Sequence, residues 1–393
     1  FQFFPRQAVA GVAPGIKVAP PLGLTPNLER LHLEECDNLV ALDVHGGCLK
    51  SLVYLNLRSC TKLRSLDLGL TPNLERLHLE CCYNLVALDV HGGCLKTLVY
   101  LNIRFCKSLK SISFIQQLES LEVLHITGLK PKEFLNYITT GHSINSLLEL
   151  HLSWNFIEEV PSSIGNLHKL VSLNLTRCSN LKSVTGSICS LQHLRTLDLR
   201  NTCIEELPED LGQLECLEEL VLTCTNVKHL PGSICMLKHL KTLLLQSCRL
   251  LEKLPEDVGQ LESLEKLDLR DCPDLRELPL SICKLKCLKE LKLGECWRLE
   301  QVPDELGNLK CLQLLDVRGT RITHLPNSIC NSKCLKELVI YACRKVEKLP
   351  EELGNLKCLQ LLDVRETGIT HLPRNIYSLK GLKYDRWRIK DFT

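Results

Sequence analysis

Leucines recur along the chain in the order L-x-x-L-x-L, with Ile or Val at some of these places and polar or charged residues in most of the gaps. The unit starts at Leu28, Leu52, Leu74, Leu98, Leu121, Leu147, Leu170, Leu194, Leu217, Leu240, Leu264, Leu288, Leu312, Leu335 and Leu359, with a further start at Leu382. The mean step is close to 24 residues, and self-similarity at such a period marks a repeat architecture. Inside each unit the alternation has the two-residue period of a strand with one buried face. Leu267 and Leu269 are expected to point inward, and Lys266, Asp268 and Arg270 outward. Downstream, Leu230, Pro231, Ile234 and Leu237 have the spacing of a short helix or 3₁₀ turn with Pro in its first turn.

No such unit can bury its leucines alone, so neighbours must stack at about 4.8 Å per strand above one continuous core. The expected fold is α/β: a curved right-handed β/α solenoid, with one parallel sheet on the concave face and short helices or 3₁₀ turns on the convex face. Repeat length follows position nine: after Cys272 the next apolar residue, Leu275, comes three places on, whereas after Thr320 it is Ile322, two places on. The turn is expected to absorb the difference. Residues 24–128 read as a first sub-array, 129–146 as an irregular junction with a short helix near Glu133 to Ile138, and 147–382 as a second sub-array. Residues 1–23 read as poorly ordered, and 383–393 as a tail or cap in which Trp387, Ile389 and Phe392 could cover the last repeat.

Leucine supplies 86 of the 393 residues, as a core built repeatedly from one shape would require. Lys+Arg 48 against Asp+Glu 46 leaves a net charge of +2, without the basic field that phosphate binding needs, so no nucleic-acid partner is expected. No apolar run approaches the ~18 residues that span a bilayer, and no membrane partner is expected. The opening FQFFPRQAVAGVAPG has neither an initiator Met nor a signal-peptide pattern, and reads as the start of a fragment.

The 23 cysteines are odd in number and spread through the chain, unlike a secreted disulfide framework. Nine of them, Cys36, Cys60, Cys82, Cys106, Cys178, Cys248, Cys272, Cys296 and Cys343, occupy the ninth position of the unit. There a thiol acts as a small buried hydrophobe with a weak donor, facing the backbone where the chain leaves the strand. So many thiols imply a reducing compartment, the cytoplasm with the nucleus as a second location.

The segments LEKLDLRDCPDLRELPLSICKL (264–285) and LQLLDVRGTRITHLPNSICNS (312–332) resemble the leucine-rich repeats of plant intracellular nucleotide-binding disease-resistance receptors, especially those that begin with a Toll/interleukin-receptor-like domain. The resemblance implies a non-enzymatic protein-interaction module in defence. Its partner would be a pathogen-derived or host protein, or the receptor's own nucleotide-binding domain. Intracellular Ras-group repeats share the L-P-x-x-I element, so a stand-alone scaffold is the alternative. The chain has no G-x-x-x-x-G-K-[ST] loop and no Gly-Lys dipeptide, so no nucleotide or other cofactor is expected on it. The L-x-G-x-I-P element of extracellular plant repeats is missing too.

Candidate chemistry is sparse. His45-Gly46-Gly47-Cys48 and His91-Gly92-Gly93-Cys94 look like half zinc sites, but they lie two repeats apart, too far for bonds of ~2.0–2.3 Å to one ion, so no metal site is expected. No nucleophile stands beside a base in the sequence pattern, and no catalytic residue is expected. The recurrent Asp-x-Arg pairs (Asp198/Arg200, Asp268/Arg270, Asp316/Arg318, Asp363/Arg365) read as a ladder of surface ion pairs that could also meet charged partners.

Internal duplication gives the sharper clue. Residues 24–50 and 70–96 differ only at Glu35/Cys81 and Asp37/Tyr83, and the flanking sequence to 63 and 109 adds five differences, among them Ser59/Phe105 and Thr61/Lys107. Residues 305–329 and 352–376 differ only at Gly319/Glu366, Arg321/Gly368, Asn327/Arg374 and Ser328/Asn375. Most differences fall at positions eight and ten of the unit, where the strand leaves the concave face. Exposed sites free to vary would account for this; a recognition rim that diversifies after duplication would too. Nearby aromatic side chains (Tyr54, Tyr100, Phe105, Trp154, Tyr341) are of the kind that dominate interface energetics. The expected partner-binding residues are therefore Glu35, Asp37, Tyr54, Ser59, Cys81, Tyr83, Tyr100, Phe105, Lys107, Trp154, Arg318, Tyr341, Arg365 and Glu366.

Overall fold

Positions three to five of the fifteen complete units form a short parallel strand, as the alternation requires, and the fourth-position leucine is its inward residue; the last strand, Lys383–Asp385, pairs as a unit that starts at Gly381, one residue before the expected Leu382. The computed structural model describes residues 7–9, 27–42, 49–69, 71–90, 95–128 and 144–385. The chain divides into two compact units, Phe1–Asn180 and Leu181–Thr393.

In the first unit, the strands Arg30–His32, Tyr54–Asn56, Arg76–His78, Tyr100–Arg104, Val123–Thr127, Glu149–His151 and Ser172–Asn174 pair in sequence order. Gln7–Val9 adds a strand beside Arg30–His32. In the second unit, Thr196–Asp198, Glu219–Val221, Thr242–Leu244, Lys266–Asp268, Glu290–Lys292, Leu314–Asp316, Glu337–Val339, Leu361–Asp363 and Lys383–Asp385 do the same. Register follows repeat position whatever the spacing: Leu220 faces Leu243 across a 23-residue step, and Leu243 faces Leu267 across 24. Each of these leucines is fully buried, worth about 1.5–3 kcal/mol apiece. The fold is a leucine-rich repeat solenoid.

The ninth-position cysteines do more than fill space. Their thiols donate across the stack to the sixth-position carbonyl of the preceding repeat: Cys60 to Leu33 at 3.0 Å, Cys106 to Leu79 at 3.1 Å, Cys248 to Leu222 at 3.0 Å and Cys296 to Leu269 at 3.1 Å. Where Thr stands instead, its hydroxyl donates to the sixth-position carbonyl of its own repeat, Thr225 to Leu222 and Thr320 to Val317, both at 2.7 Å. The shorter repeat thus closes its turn on itself.

Return paths take the expected 3₁₀ form and differ from expectation in one way, the place of proline. Among the described residues they contain 3₁₀ turns of three to five residues and no α-helix, because so few residues must climb back to the next strand and the 3₁₀ form rises faster per residue. Proline precedes the turn instead of lying inside it. Pro231 and Pro326 are extended, with ψ 143, and their carbonyls accept the N–H groups of Ile234 and Ile329. In the first unit the return side carries a second small parallel pair, Ser65–Asp67 with Ala87–Asp89. Leu63, Leu66 and Leu68 are buried there, a second L-x-x-L-x-L within one repeat. The suggested junction helix, both His-Gly-Gly-Cys segments, and Trp387, Ile389 and Phe392 lie outside the described residues.

Candidate functional site

Position eight, the first residue to leave the sheet, is left-handed throughout. All fifteen residues there have φ between 54° and 78°, from Glu35 (59°) through Trp154 (61°) to Glu366 (54°). The position holds Glu, Ser, Cys, Phe, Trp, Arg, Asn, Asp, Ala and Gly, but never a β-branched residue, for which a positive φ is a genuine outlier. The divergent site is therefore not freely variable: the backbone filters what may stand there while leaving the side chain exposed or half-buried.

Several expected residues assemble on this edge. Glu35 and Asp37 are exposed, and the Thr61 hydroxyl donates to Asp37 at 3.1 Å. Ser59, Cys81 and Phe105 are half-buried; Tyr83 and Lys107 are exposed. The Arg104 guanidinium lies 5.6 Å from the Phe105 ring, and that of Arg177 lies 4.3 Å from the ring of Trp154, a cation–π arrangement. In the second unit the Tyr341 hydroxyl donates to Glu366 at 3.0 Å, while Arg365 lies over the Tyr341 ring at 5.3 Å. Two exposed aromatics at position ten, Phe156 in the first unit and Trp297 in the second, share that repeat position and are absent from the expected set. Repeat position alone would have found them.

Tyr54 and Tyr100 stand elsewhere. They are third-position residues, the first of their strands, half-buried between histidines from position five of the neighbouring repeats. The rings run His32, Tyr54, His78, Tyr100, His125, His151, with successive centroids 4.9, 5.2, 4.6, 5.4 and 4.1 Å apart. Cross-strand pairs of this kind contribute about 0.2–1 kcal/mol each. Burial, then the charge of Arg76, holds His78 below the ordinary imidazole range. Burial first, with His151 and Arg104 adding to it, pushes His125 down to about 4. At neutral pH both stack as uncharged rings. The strand face also brings His125, Glu149 and His151 together, with their donor atoms all within 4.8 Å of one another.

The Asp-x-Arg pairs are less solvated than expected. Asp268 and Asp316 are buried, and their carboxylates accept both the guanidinium and the backbone N–H of the arginine two residues on. Arg318 and Arg365 are thus held over their own aspartates, with Nε to Oδ1 distances of 2.9 Å, and keep an exposed edge. Asn56 and Asn102 make the same backbone contact in the first unit. The aspartate anchors the turn, and the arginine keeps the solvent-facing edge.

The leucine-rich repeat region family matches residues 172–253, and a second leucine-rich repeat family matches residues 146–167. Protein SUPPRESSOR OF npr1-1, CONSTITUTIVE 1 from Arabidopsis thaliana is 31% identical over 203 residues, 51% of this chain and 10% of that protein. TMV resistance protein N from Nicotiana glutinosa is 31% identical over 194 residues, 48% of this chain and 15% of that protein. Among solved structures, an internalin from Listeria monocytogenes superposes with a TM-score of 0.60 at 19% identity, over 77% of this chain and 84% of its own. A leucine-rich repeat protein of Leptospira interrogans gives 0.54 at 23%, over 93% and 97%. These structures share the fold. Of these two curated relatives the Nicotiana glutinosa protein is named for resistance to TMV, and the matched region is a small part of each.

Proposed function

We propose that this chain is a protein-recognition module, the recognition and regulatory repeat region of a plant intracellular immune receptor acting in defence. One observation carries the reading: duplicated segments that agree almost everywhere else diverge at positions eight and ten, on the solvent edge where Trp154, Tyr83 and Glu366 are exposed. A purely structural stack gains nothing from aromatic and charged variety there, whereas an interface does. The similarity to the TMV resistance protein of Nicotiana glutinosa supports the defence assignment. The partner would be a pathogen-derived or host protein, or the receptor's own nucleotide-binding domain, and the role is non-enzymatic. Buried free thiols at Cys60, Cys106, Cys248 and Cys296 suit a reducing cytoplasm or nucleus.

Reading the full-length transcript across the Phe1 codon tests the receptor assignment. A Gly-Lys-Ser/Thr loop in the upstream reading frame is the expected result. A local start codon preceded by a stop would overturn it, leaving a stand-alone repeat scaffold.

A further inference from the structure

We infer that His125, Glu149 and His151 form a binding site for a divalent transition-metal ion on the solvent side of the strand face. His125 and His151 occupy the same repeat position on adjacent parallel strands and are direct register partners. Their ring centroids lie 4.1 Å apart. Glu149 lies two residues before His151 on the same strand, so its side chain emerges on the same face, and its Oε2 is 3.5 Å from His151 Nε2. The three side chains are half-buried or exposed, so an ion can reach them.

Ligand chemistry favours this set. Two imidazoles and one carboxylate suit zinc and its first-row neighbours, with bonds of about 2.0–2.2 Å. Such bonds place tetrahedral ligand atoms about 3.3 Å apart, close to the 3.5 Å already present between Glu149 and His151. Donor atoms within 4.8 Å of one another need only side-chain rotation to converge, because paired strands fix the backbone beneath them. Arg104 is the opposing charge in the neighbourhood, and its guanidinium reaches Glu80 at 3.9 Å, which offsets part of that charge. Three protein ligands leave a coordination position open to solvent or to a partner's donor atom.

Stacking alone does not account for the grouping. Among the described residues, His32 stacks on Tyr54 in the same ladder without a second imidazole stacked on it, and so serves as an internal control.

Cobalt(II) is the probe that separates this site from the many thiols. The full 393-residue chain, with its reactive thiols alkylated under native conditions, is titrated with Co²⁺ and then with Zn²⁺ as competitor. Expected is one Co²⁺ per chain, with visible d–d bands and no thiolate charge-transfer band. Glu149→Gln should weaken binding about tenfold or more, His125→Ala with His151→Ala should abolish it, and His32→Ala should leave it unchanged. Glu149 is an exposed residue, so Glu149→Gln should keep the wild-type circular dichroism and melting curve. Lack of uptake once thiols are blocked, or binding equal in wild type and Glu149→Gln, would overturn the inference.

Discussion

The backbone N–H of Gly307 donates to the hydroxyl of Ser328 at 3.0 Å, and a Cβ added at Gly307 would overlap the Ser328 carbonyl oxygen. The Ser328 hydroxyl in turn donates to the Asp304 carbonyl. The same close approach recurs between Gly212 and Ser233, Gly259 and Ser281, and Gly354 and Asn375. A glycine-bearing return path is thus followed by one with a polar side chain that reaches back to it. The two repeats form a coupled pair, and the duplication of 305–329 into 352–376 preserves it.

Gly307→Ala should therefore destabilise the second unit by about 1–3 kcal/mol, the usual range for forcing an atom into a packed site. Gly186→Ala meets nothing within 4 Å and should be neutral, or stabilising by a few tenths of a kcal/mol. Urea unfolding midpoints of the two variants test the contrast, and equal midpoints would contradict it.

The thiols should fall into two classes. Burial pushes Cys60, Cys106 and Cys296 up to about 12 and Cys178 and Cys248 up to about 11, so these stay protonated and closed to reagents. Cys224, Cys287, Cys311, Cys334 and Cys358 are exposed. At pH 8 a disulfide reagent should label the exposed class quickly and the buried class only after unfolding. The linkage has a sign as well. An unfolded thiol ionises near 9 while the folded one keeps its proton, so stability is complete below pH 9 and is lost as pH rises toward the folded values. Cys296→Ala should remove one thiol's share of that alkaline loss, as thermal unfolding from pH 8 to 10.5 can show.

Ala342 is a clean probe of the left-handed turn, with φ 58° and a side chain of one carbon. Ala342→Gly should stabilise by up to about 1 kcal/mol by removing the Cβ penalty. Ala342→Val should cost about 1–3 kcal/mol, since a β-branched residue at positive φ is strained. Melting temperatures of the three proteins should rank Gly, Ala, Val in descending order.

The strands were legible because leucine at positions four and six records burial directly, and repeat spacing supplied the register. The left-handed turn was not, because residues as unlike as Trp154, Asp271 and Glu366 all tolerate it, and only the absence of β-branched residues betrays it. Tyr54 and Tyr100 were legible only as aromatics near the rim, because residue type was read before their third-position rank, which sets them among the strand-face histidines. His125 and His151 are 26 residues apart, the longest step in the array. Only alignment by repeat position, with the insertion set aside, makes them neighbours. The pairing of return paths through Gly307 and Ser328 depends on a backbone approach that no residue type announces.

Site-directed photocrosslinking tests the central claim most directly. A benzophenone side chain placed at Tyr83, Trp154 or Glu366 on the divergent edge is compared with one at Met236 or Leu280, which are 62% and 72% exposed on the return side. After expression in leaf cells, the account predicts a discrete protein adduct from the edge positions and none from Met236 or Leu280. Adducts of equal yield from both sides, or from the return side alone, would contradict it.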